Sequence, residues 1–513
     1  MKRFLSTVIA LAMIMAMTVI IVPTASAAWD GSSVAAALIG SGTEADPYLI
    51  TNENDLAFVA KQVNDAVTGF EGEYFKLTVD LDLGNKLWTP IGVAKNYFRG
   101  HFDGDGHTIT NLYAKTDPAN SSAQYGGLFG RIADGTVKNL TIDGAKVIGL
   151  KYAGVVAGLL SCTAGTGSAS IVNCRVVNAE VYGTQPGGIV GRSATTKATK
   201  GQLHITGCSA ENLYIGQVSA EDYPNAEFKN HYIGGIVGCA GATIIEGCYV
   251  KNFTADVCGT SFAPAGGIIG CQGASSVATD VYNCYVVGVT FKASADSAPE
   301  KTNLGGLIGK AAHVDVSSGD PNTECHVFNC FVSDVSITNA TTSVSNGVVA
   351  GLVDDIILFN DIYYVAVDGL GAYGYYNYDP EPIFTSINAL ADLSVEKLNK
   401  GNSTVVWIAN PAAGHPTIEL DAVLTNAPNF VDYYVENPEV EETTEAPEET
   451  TEAPKTEETT EAPKADETTK ATEQTNAPNT TDKAEEKGCG GMIAGGVMAV
   501  ALLGAAVVFK KRK

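Results

Sequence analysis

The sequence predicts an all-β fold, a right-handed parallel β-helix whose short strands wind into stacked coils. Three observations lead to this fold class. A pentapeptide that reads Gly, then Gly or Val, two apolar residues and Gly recurs seven times. A second signal, usually Asn or Gly before Cys or another apolar residue, follows each copy. Segments with period-two alternation separate the copies, and such alternation is typical of strands.

The recurring pentapeptide decides the architecture before any other argument, because each copy marks one structural unit. Successive copies start 28 to 47 residues apart, so loops of variable length join a constant core unit. Each unit has room for about three strands, and a coil of a β-helix advances ~4.8 Å. The glycines would permit positive φ at corners and close contact between coils. The copies are Gly126–Gly130, Gly154–Gly158, Gly187–Gly191, Gly234–Gly238, Gly266–Gly270, Gly305–Gly309 and Gly347–Gly351.

The repeat and the second signal together resemble the GLUG motif of secreted bacterial β-helix proteins. The preceding segments Gly40–Ile50 and Phe98–Ile109 are similar to the start of such domains. The resemblance extends over roughly Trp29 to Leu420, and we place the β-helix domain at residues 28–430. It implies an adhesin-like surface protein, and it says nothing about activity, since a fold hosts many functions.

Both ends of the β-helix are expected to carry helices that cover the core. Residues 54–67 have apolar side chains at helical spacing and predict a short N-terminal capping helix. An uncovered end would pair with other chains, which is the physical reason for such a cap. A second helical stretch, 394–399, lies near Trp407 and is expected to close the other end.

The chain termini predict export and membrane attachment. Residues 1–27 have a charged start, an apolar stretch and an Ala-x-Ala site, as in a signal peptide. Residues 436–488 repeat a Glu-Thr-Pro pattern and predict a disordered stalk, which carries about half of the net charge of −25. Residues 492–509 are apolar enough for a transmembrane helix, and the basic tail 510–513 places the C-terminus in the cytoplasm. The β-helix would therefore be extracellular.

The cysteines are expected to be mostly free thiols, although exported proteins often form disulfides. Five of them occupy the same repeat position, which stacked coils would bring about 4.8 Å apart, wider than a disulfide prefers. Neither CxxC spacing nor His at ligand intervals is present, so we expect no metal. Nucleotide loops are also lacking, so we expect no cofactor. The five are Cys174, Cys208, Cys248, Cys284 and Cys330.

A catalytic site is weakly indicated. Asp103, Asp105 and His107 form the tightest group of acids and histidine, as a glycoside hydrolase would need, but a Gly-Asp-Gly turn explains them more simply. Arginine is scarce in the β-helix, which argues against nucleic-acid and polyanion partners and against a lyase. Whether the chain is an enzyme is left open, with a non-enzymatic role favoured.

A tyrosine-rich segment is the most suggestive functional feature, because tyrosine rings stack on the C–H faces of sugars. A tyrosine-rich lid on the last coil would explain the same residues. We predict a surface-displayed binding protein for a glycan or a surface partner, acting through loops of the β-helix. A polysaccharide-acting lyase or hydrolase and a structural envelope spacer are the alternatives. The ligand-binding candidates are Tyr363, Tyr364, Tyr373, Tyr375, Tyr376 and Tyr378.

Overall fold

A computed structural model describes residues 29–93, 95–117, 124–163, 167–194, 202–217, 231–258, 263–272, 279–293, 302–312, 325–338, 345–354, 357–376, 383–399 and 406–419. The predicted signal peptide, stalk, membrane helix and basic tail lie outside these residues. In the described part of the chain, neither helix combines the length and the apolar character that a membrane crossing requires.

The described residues form mainly short strands. From the N-terminus the elements are β1 Tyr48–Ile50, α1 Glu53–Asn64, β2 Tyr74–Leu77, β3 Leu81–Asp82, β4 Leu87–Trp88, β5 His101–Asp103, β6 Thr108–Thr110, β7 Tyr113–Lys115, β8 Tyr125–Gly126, β9 Phe129–Ala133, β10 Thr136–Lys138, β11 Thr141–Asp143, β12 Lys146–Gly154, β13 Ala157–Ser161, β14 Ala169–Val172, β15 Arg175–Gly187, β16 Val190–Ser193, β17 Leu203–Thr206 and β18 Ser209–Gly216. They continue as β19 Ile233–Gly234, β20 Val237–Ala240, β21 Thr243–Glu246, β22 Tyr249–Val257, β23 Ala263–Gly266, β24 Ile269–Gln272, β25 Asp280–Tyr282, β26 Tyr285–Ala293, β27 Thr302–Gly305, β28 Ile308–Ala312, β29 Cys325–Thr338, β30 Ser345–Gly347, β31 Ala350–Asp354, β32 Ile357–Val365, β33 Tyr373–Tyr376, β34 Thr385–Ile387, a 3₁₀ turn Leu390–Asp392, α2 Val395–Asn399, β35 Val406–Ile408 and β36 Thr417–Glu419.

Strands at equivalent repeat positions stack in parallel register from coil to coil. Val137, for example, lies between Phe102 of the preceding coil and Ile171 of the following coil. All three side chains are fully buried and belong to one continuous apolar core. The strand that begins within each glycine pentapeptide joins a separate eight-stranded sheet, which β33 completes. The predicted all-β class and the parallel stacking of a β-helix are confirmed.

The second glycine of the pentapeptide is required by close approach of neighbouring coils. A Cβ atom on Gly267 would overlap the carbonyl oxygen of Gly306 in the next coil and lie 2.7 Å from Cγ2 of Val286. Gly235 and Gly306 have the same relation to the following coil. No side chain fits at these three glycines, which preserve the distance between their coils, whereas two other copies carry Val155 and Val348 at this position.

Two corners of each coil are formed by residues with positive φ, many of them asparagines. Asn is among the few residues that adopt this left-handed conformation readily. At the first corner, Asn173 Nδ2 donates to Asn139 Oδ1 at 3.0 Å, and Asn329 Nδ2 donates to Asn283 Oδ1 at 2.6 Å. At the second corner, the same bond joins Asn212 to Asn178 at 2.9 Å and Asn252 to Asn212 at 3.1 Å. The recurring asparagines thus both turn the chain and link successive coils.

The five equivalent cysteines form a buried ladder inside the first corner. Each is fully buried and carries a free thiol. The Cys208 thiol donates to the carbonyl oxygens of Thr206 and Ile171, both at 3.4 Å, and Cys248 repeats this pattern one coil further. Burial raises the pKa of the Cys174, Cys208, Cys248 and Cys284 thiols well above the usual value. The ladder therefore behaves as a column of small apolar groups.

We expect the ladder thiols to resist alkylation in the folded full-length chain, because only unfolding exposes them and because burial suppresses the reactive thiolate. Site-resolved mass spectrometry after iodoacetamide treatment at pH 8 should show labelling several orders of magnitude slower than in denaturant. Ladder thiols that react equally fast in both conditions, or that appear in disulfide-linked peptides, would contradict this arrangement.

The helix α1 packs on the N-terminal end of the apolar core. It begins after Asn52, whose side chain accepts hydrogen bonds from the backbone N–H groups of Asn54 and Asp55. Leu56, Val59 and Val63 are almost fully buried in the same core as the coils. The helix is three residues shorter at its C-terminal end than the predicted span 54–67.

The C-terminal helix α2 occurs where it was predicted, but it packs in a different place. Together with the turn Leu390–Asp392, β35 and β36 it forms what we term the C-terminal cover. Its buried side chains Leu398 and Trp407 lie against Tyr285, Phe331 and Tyr363, which are in a cluster separate from the main core. These rings belong to three successive coils, so the cover packs along the side of the solenoid. The expectation that it closes the far end was wrong.

Candidate functional site

The weak catalytic candidates lie at one turn between β5 and β6. Asp103 accepts hydrogen bonds from the Asp105 backbone N–H at 2.9 Å and from Asn139 Nδ2 at 3.0 Å. Its second oxygen is 3.2 Å from Lys138 Nζ. Asp103 thus accepts the hydrogen bond of Asn139, the asparagine that also accepts from Asn173 in the next coil. This role is structural.

Asp105 and His107 also have local partners. Asp105 is paired with Lys76 at 2.9 Å, and Nδ1 of His107 lies 3.1 Å from an oxygen of Asp80. The same Asp80 oxygen accepts from the Thr108 backbone, which lowers the pKa of Asp80. These contacts are those of a turn, and a catalytic role for the three residues stays a prediction. In the described ranges, no three His, Cys, Asp or Glu side chains are grouped so that they could hold a metal ion.

The predicted tyrosine-rich site is not brought together as one exposed row. Tyr363 is buried beneath the C-terminal cover. Tyr364, Tyr373 and Tyr376 are partly buried against the main core. Tyr375 is half exposed, and Tyr378 lies outside the described residues. A binding role for the segment stays a prediction, and among the described tyrosines Tyr375 is the best placed to fulfil it.

A different aromatic group forms where several coils meet, just before and after the glycine pentapeptides. We term it the tyrosine–cation cluster. Tyr125 and Tyr152 stand one and two residues ahead of a pentapeptide, and Arg131 and Arg192 directly follow a pentapeptide's last glycine. All members except the more deeply buried Tyr152 are half-buried. The cluster consists of Tyr97, Tyr125, Tyr152, Arg131, Lys151 and Arg192.

Two rings of the cluster are stacked, and cations lie over the aromatic faces. Tyr125 and Tyr152 occupy paired positions in neighbouring coils, with ring centres 5.0 Å apart and planes 13° from parallel. Lys151 Nζ and Arg192 Cζ lie 5.1 and 5.4 Å from the centre of the Tyr152 ring. Such contacts between cations and rings are attractive and fix the side chains.

The two arginines are further positioned by neutral hydrogen-bond acceptors. The Arg131 guanidinium lies 4.4 Å from the centre of the Tyr97 ring and donates from Nε to Ser161 Oγ at 3.1 Å. Arg192 donates from Nη1 to Gln185 Oε1 at 3.3 Å. The cluster thus combines aromatic rings with cationic side chains.

The pKa values of the two stacked tyrosines are shifted by burial and by their charged neighbours. Burial, and then the neighbouring Tyr152, raise the pKa of Tyr125, while Lys151, Arg131 and Arg192 oppose the shift. Burial also raises the pKa of Tyr152, against the influence of Arg192. Both tyrosines therefore stay protonated at physiological pH and can donate as well as accept hydrogen bonds.

Sequence reasoning missed this cluster, although the repeat contained a signal for it. Tyr125 and Arg131 flank the same pentapeptide, Gly126–Gly130, and Arg192 directly follows Gly187–Gly191. Aligned on their pentapeptides, Arg131 and Arg192 fall at the same position of two coils, one on each side of Leu159. Gly158 also makes room for the Tyr125 side chain, because a Cβ on Gly158 would lie 2.8 Å from Cβ of Tyr125.

Comparison with known proteins identifies the repeat motif, and this chain matches only a small part of each related protein. The profile of the GLUG motif matches residues 229–255, so the chain carries this motif. Halomucin of Haloquadratum walsbyi is 33% identical over 174 residues, which are 32% of this chain and 2% of that protein. A protein of Evansella cellulosilytica, whose name describes it as a Gly-rich membrane protein, is 37% identical over 112 residues. That match spans 20% of this chain and 12% of the relative.

Two solved structures are similar in part. One, named as a candidate immunoglobulin A1 protease from Bacteroides ovatus, has a TM-score of 0.47 at 19% identity, over 74% of this chain and 94% of the other. The second, named IgA1 protease, has a TM-score of 0.39 at 15% identity, over 62% of this chain and 21% of the other. Both scores lie below 0.5.

Proposed function

We propose that the chain is a non-enzymatic binding protein, displayed outside the cell, that recognises a glycan through the tyrosine–cation cluster. The stacked pair Tyr125 and Tyr152, with Lys151 and Arg192 over its ring, is the observation that carries this proposal. The half-buried Tyr125 with polar groups beside it suits a sugar, because the ring stacks on the C–H face of the sugar while the polar groups bind its hydroxyls.

The predicted termini support the location of this function. A signal peptide at 1–27 would export the chain, and the helix at 492–509 would anchor it with its C-terminus in the cytoplasm. The predicted acidic stalk at 436–488 would link the binding domain to that helix. The right-handed winding of the β-helix and its adhesin-like role belong to the same proposal.

Replacing Tyr125 with alanine is expected to weaken glycan binding about five- to tenfold, since stacking on one ring contributes roughly 1 kcal/mol. Retention of the full-length chain on a panel of immobilised polysaccharides identifies a binder, and titration of the variant measures the loss. Tyr182→Ala is the matched control, because Tyr182 is also half-buried but packs against Ile148 and Leu150, and its hydroxyl donates to Glu180.

The same panel also distinguishes the alternatives. New reducing ends that disappear in Asp103→Ala would show a polysaccharide-degrading enzyme. Equal retention of wild type and Tyr125→Ala would locate binding elsewhere, and Tyr375→Ala then tests the tyrosine-rich segment. A chain that binds no member of a broad panel would point to a structural spacer.

A further inference from the structure

One histidine lies in the interface between the C-terminal cover and the coils. His415 belongs to the loop between β35 and β36 and is buried. The centre of its imidazole ring lies 5.3 Å from that of Tyr285 and 5.9 Å from that of Phe331, two rings of neighbouring coils. Trp407 packs on the same two rings. Of these two side chains of the cover, only His415 changes its charge near neutral pH.

The hydrogen bonding of His415 fits a neutral imidazole. Its Nδ1 lies 2.7 Å from the carbonyl oxygen of Pro416, and because a carbonyl only accepts, the proton of the neutral ring is on Nδ1. A second proton would go to Nε2. Among the residues that the structure describes, Nε2 is joined neither to a hydrogen-bond acceptor nor to a carboxylate. The charged ring would therefore be buried without a paired anion, which is unfavourable.

The charged groups that act on His415 come from two strands of the coils. Burial lowers the pKa of His415 below its usual value of 6.5, and the Pro416 carbonyl opposes this shift. Lys251 of β22 lowers the pKa further, whereas Asp334 of β29 raises it. Lys251 Nζ lies 5.7 Å from the centre of the Tyr285 ring, so this cation and His415 contact the same side chain. Burial raises the pKa of Tyr285, which therefore stays neutral and supplies no negative charge.

The lowered pKa determines how the docked cover responds to acid. Above about 6.5, the usual pKa of a histidine, His415 is neutral whether the cover is docked or detached, and docking has its full strength. Below that value the detached histidine takes up a proton more readily than the docked one. The attraction between a cation and an aromatic ring is smaller than the cost of removing the hydration of an ion. Falling pH therefore shifts the equilibrium towards the detached cover.

We propose that the C-terminal cover detaches from the coils in mild acid, below about pH 6, and that protonation of His415 releases it. The cover packs on the coils through one small shared apolar cluster, so a modest change in free energy is enough while the coils stay folded. Detachment exposes Tyr249, Tyr285 and Phe331, whose rings stack in one row. This conformational change is independent of glycan binding at Tyr125, which lies in an earlier coil.

Hydrogen exchange with mass spectrometry on the full-length chain at pH 7.5 and 5.5 tests this release, with labelling times scaled to the intrinsic exchange rate at each pH. Protection of peptides from 385–399 and 406–419 should fall about threefold or more at pH 5.5. Protection of peptides from 146–187, which contain no histidine, should change less. Both pH values lie above the usual pKa range of carboxyl groups, so histidines are the side chains that titrate between them.

Two variants assign the response to one histidine. His415→Phe keeps a ring in the interface but cannot take up a proton, so its cover should be equally protected at both pH values. His101→Phe is the matched control and should keep the response of wild type. His101 also packs on a tyrosine, with its ring centre 4.6 Å from that of Tyr74, and burial lowers its pKa, but it lies in β5, far from the cover in sequence.

Equal protection of the wild-type cover at both pH values would overturn the proposal. The same acid-induced loss in His415→Phe would also overturn it, since another group would then drive the detachment. If the cover of His415→Phe is already unprotected at pH 7.5, His415→Gln takes its place, because the amide N–H of glutamine can donate to the Pro416 carbonyl without titrating. A wild-type response in that variant would likewise reject His415 as the group that releases the cover.

Discussion

Gly267→Ala should destabilise the solenoid by about 3 kcal/mol or more, although only one methyl group is added. The methyl group would overlap the carbonyl oxygen of Gly306 and approach both Cγ atoms of Val286 to less than 3 Å. The backbones of two neighbouring coils cannot move apart without breaking the inter-strand hydrogen bonds that join them. The variant must therefore open the contact between these coils. Urea denaturation of the full-length chain, followed by circular dichroism, measures the loss.

A variant at a second glycine distinguishes the steric clash from the cost of placing another residue in a conformation that glycine prefers. Gly72 has a φ of +71°, and a Cβ atom there would meet nothing within 4 Å. Gly72→Ala should therefore cost only about 1 kcal/mol, the strain of a left-handed alanine. Equal losses for Gly72→Ala and Gly267→Ala would show that close packing of coils is not what the pentapeptide preserves.

The repeat made most of the solenoid predictable, because one short pattern specifies one local geometry many times. Parallel strands, buried cysteines at one position and the N-terminal helix all follow from residues close in sequence. The glycines were assigned two roles, and the structure separates them. Gly267 and its equivalents provide close approach, whereas the corners with positive φ are shared between glycines and asparagines.

The position of the C-terminal cover and the tyrosine–cation cluster could not be predicted in the same way. Both depend on which residues of different coils face each other. Because the loops between strands vary in length, this register between coils cannot be derived from the sequence. Tyr97 and Arg131 are 34 positions apart, yet their side chains are in contact. The aromatic residues at 363–378 were prominent in the sequence because they are close together, but Tyr363 is buried by residues that follow it.

Trp407→Ala should detach the C-terminal cover while the coils remain folded. The Trp407 ring centre lies 5.6 Å from that of Phe331 and 5.9 Å from that of Tyr285, and its indole N–H donates to Asn283 Oδ1 at 3.4 Å. Removing a buried tryptophan costs about 3–5 kcal/mol. The described part of the cover shares one small apolar cluster with the coils, so a loss of this size is expected to exceed its local stability.

The detachment can be measured by hydrogen exchange with mass spectrometry on the full-length chain. Peptides of the cover should exchange much faster in Trp407→Ala, and peptides of the first coils should not change. Val406 and Ile408 flank Trp407 in β35 and are about 40% exposed, so Val406→Ala and Ile408→Ala are matched controls with little expected effect. Tyr249, Tyr285 and Phe331 stack with ring centres 4.9 Å apart, so detachment of the cover would expose this row of stacked rings. If the peptides of the coils exchange as fast as those of the cover, the coils and the cover unfold as one cooperative unit. The cover would then be as important for the stability of the solenoid as the contacts between coils.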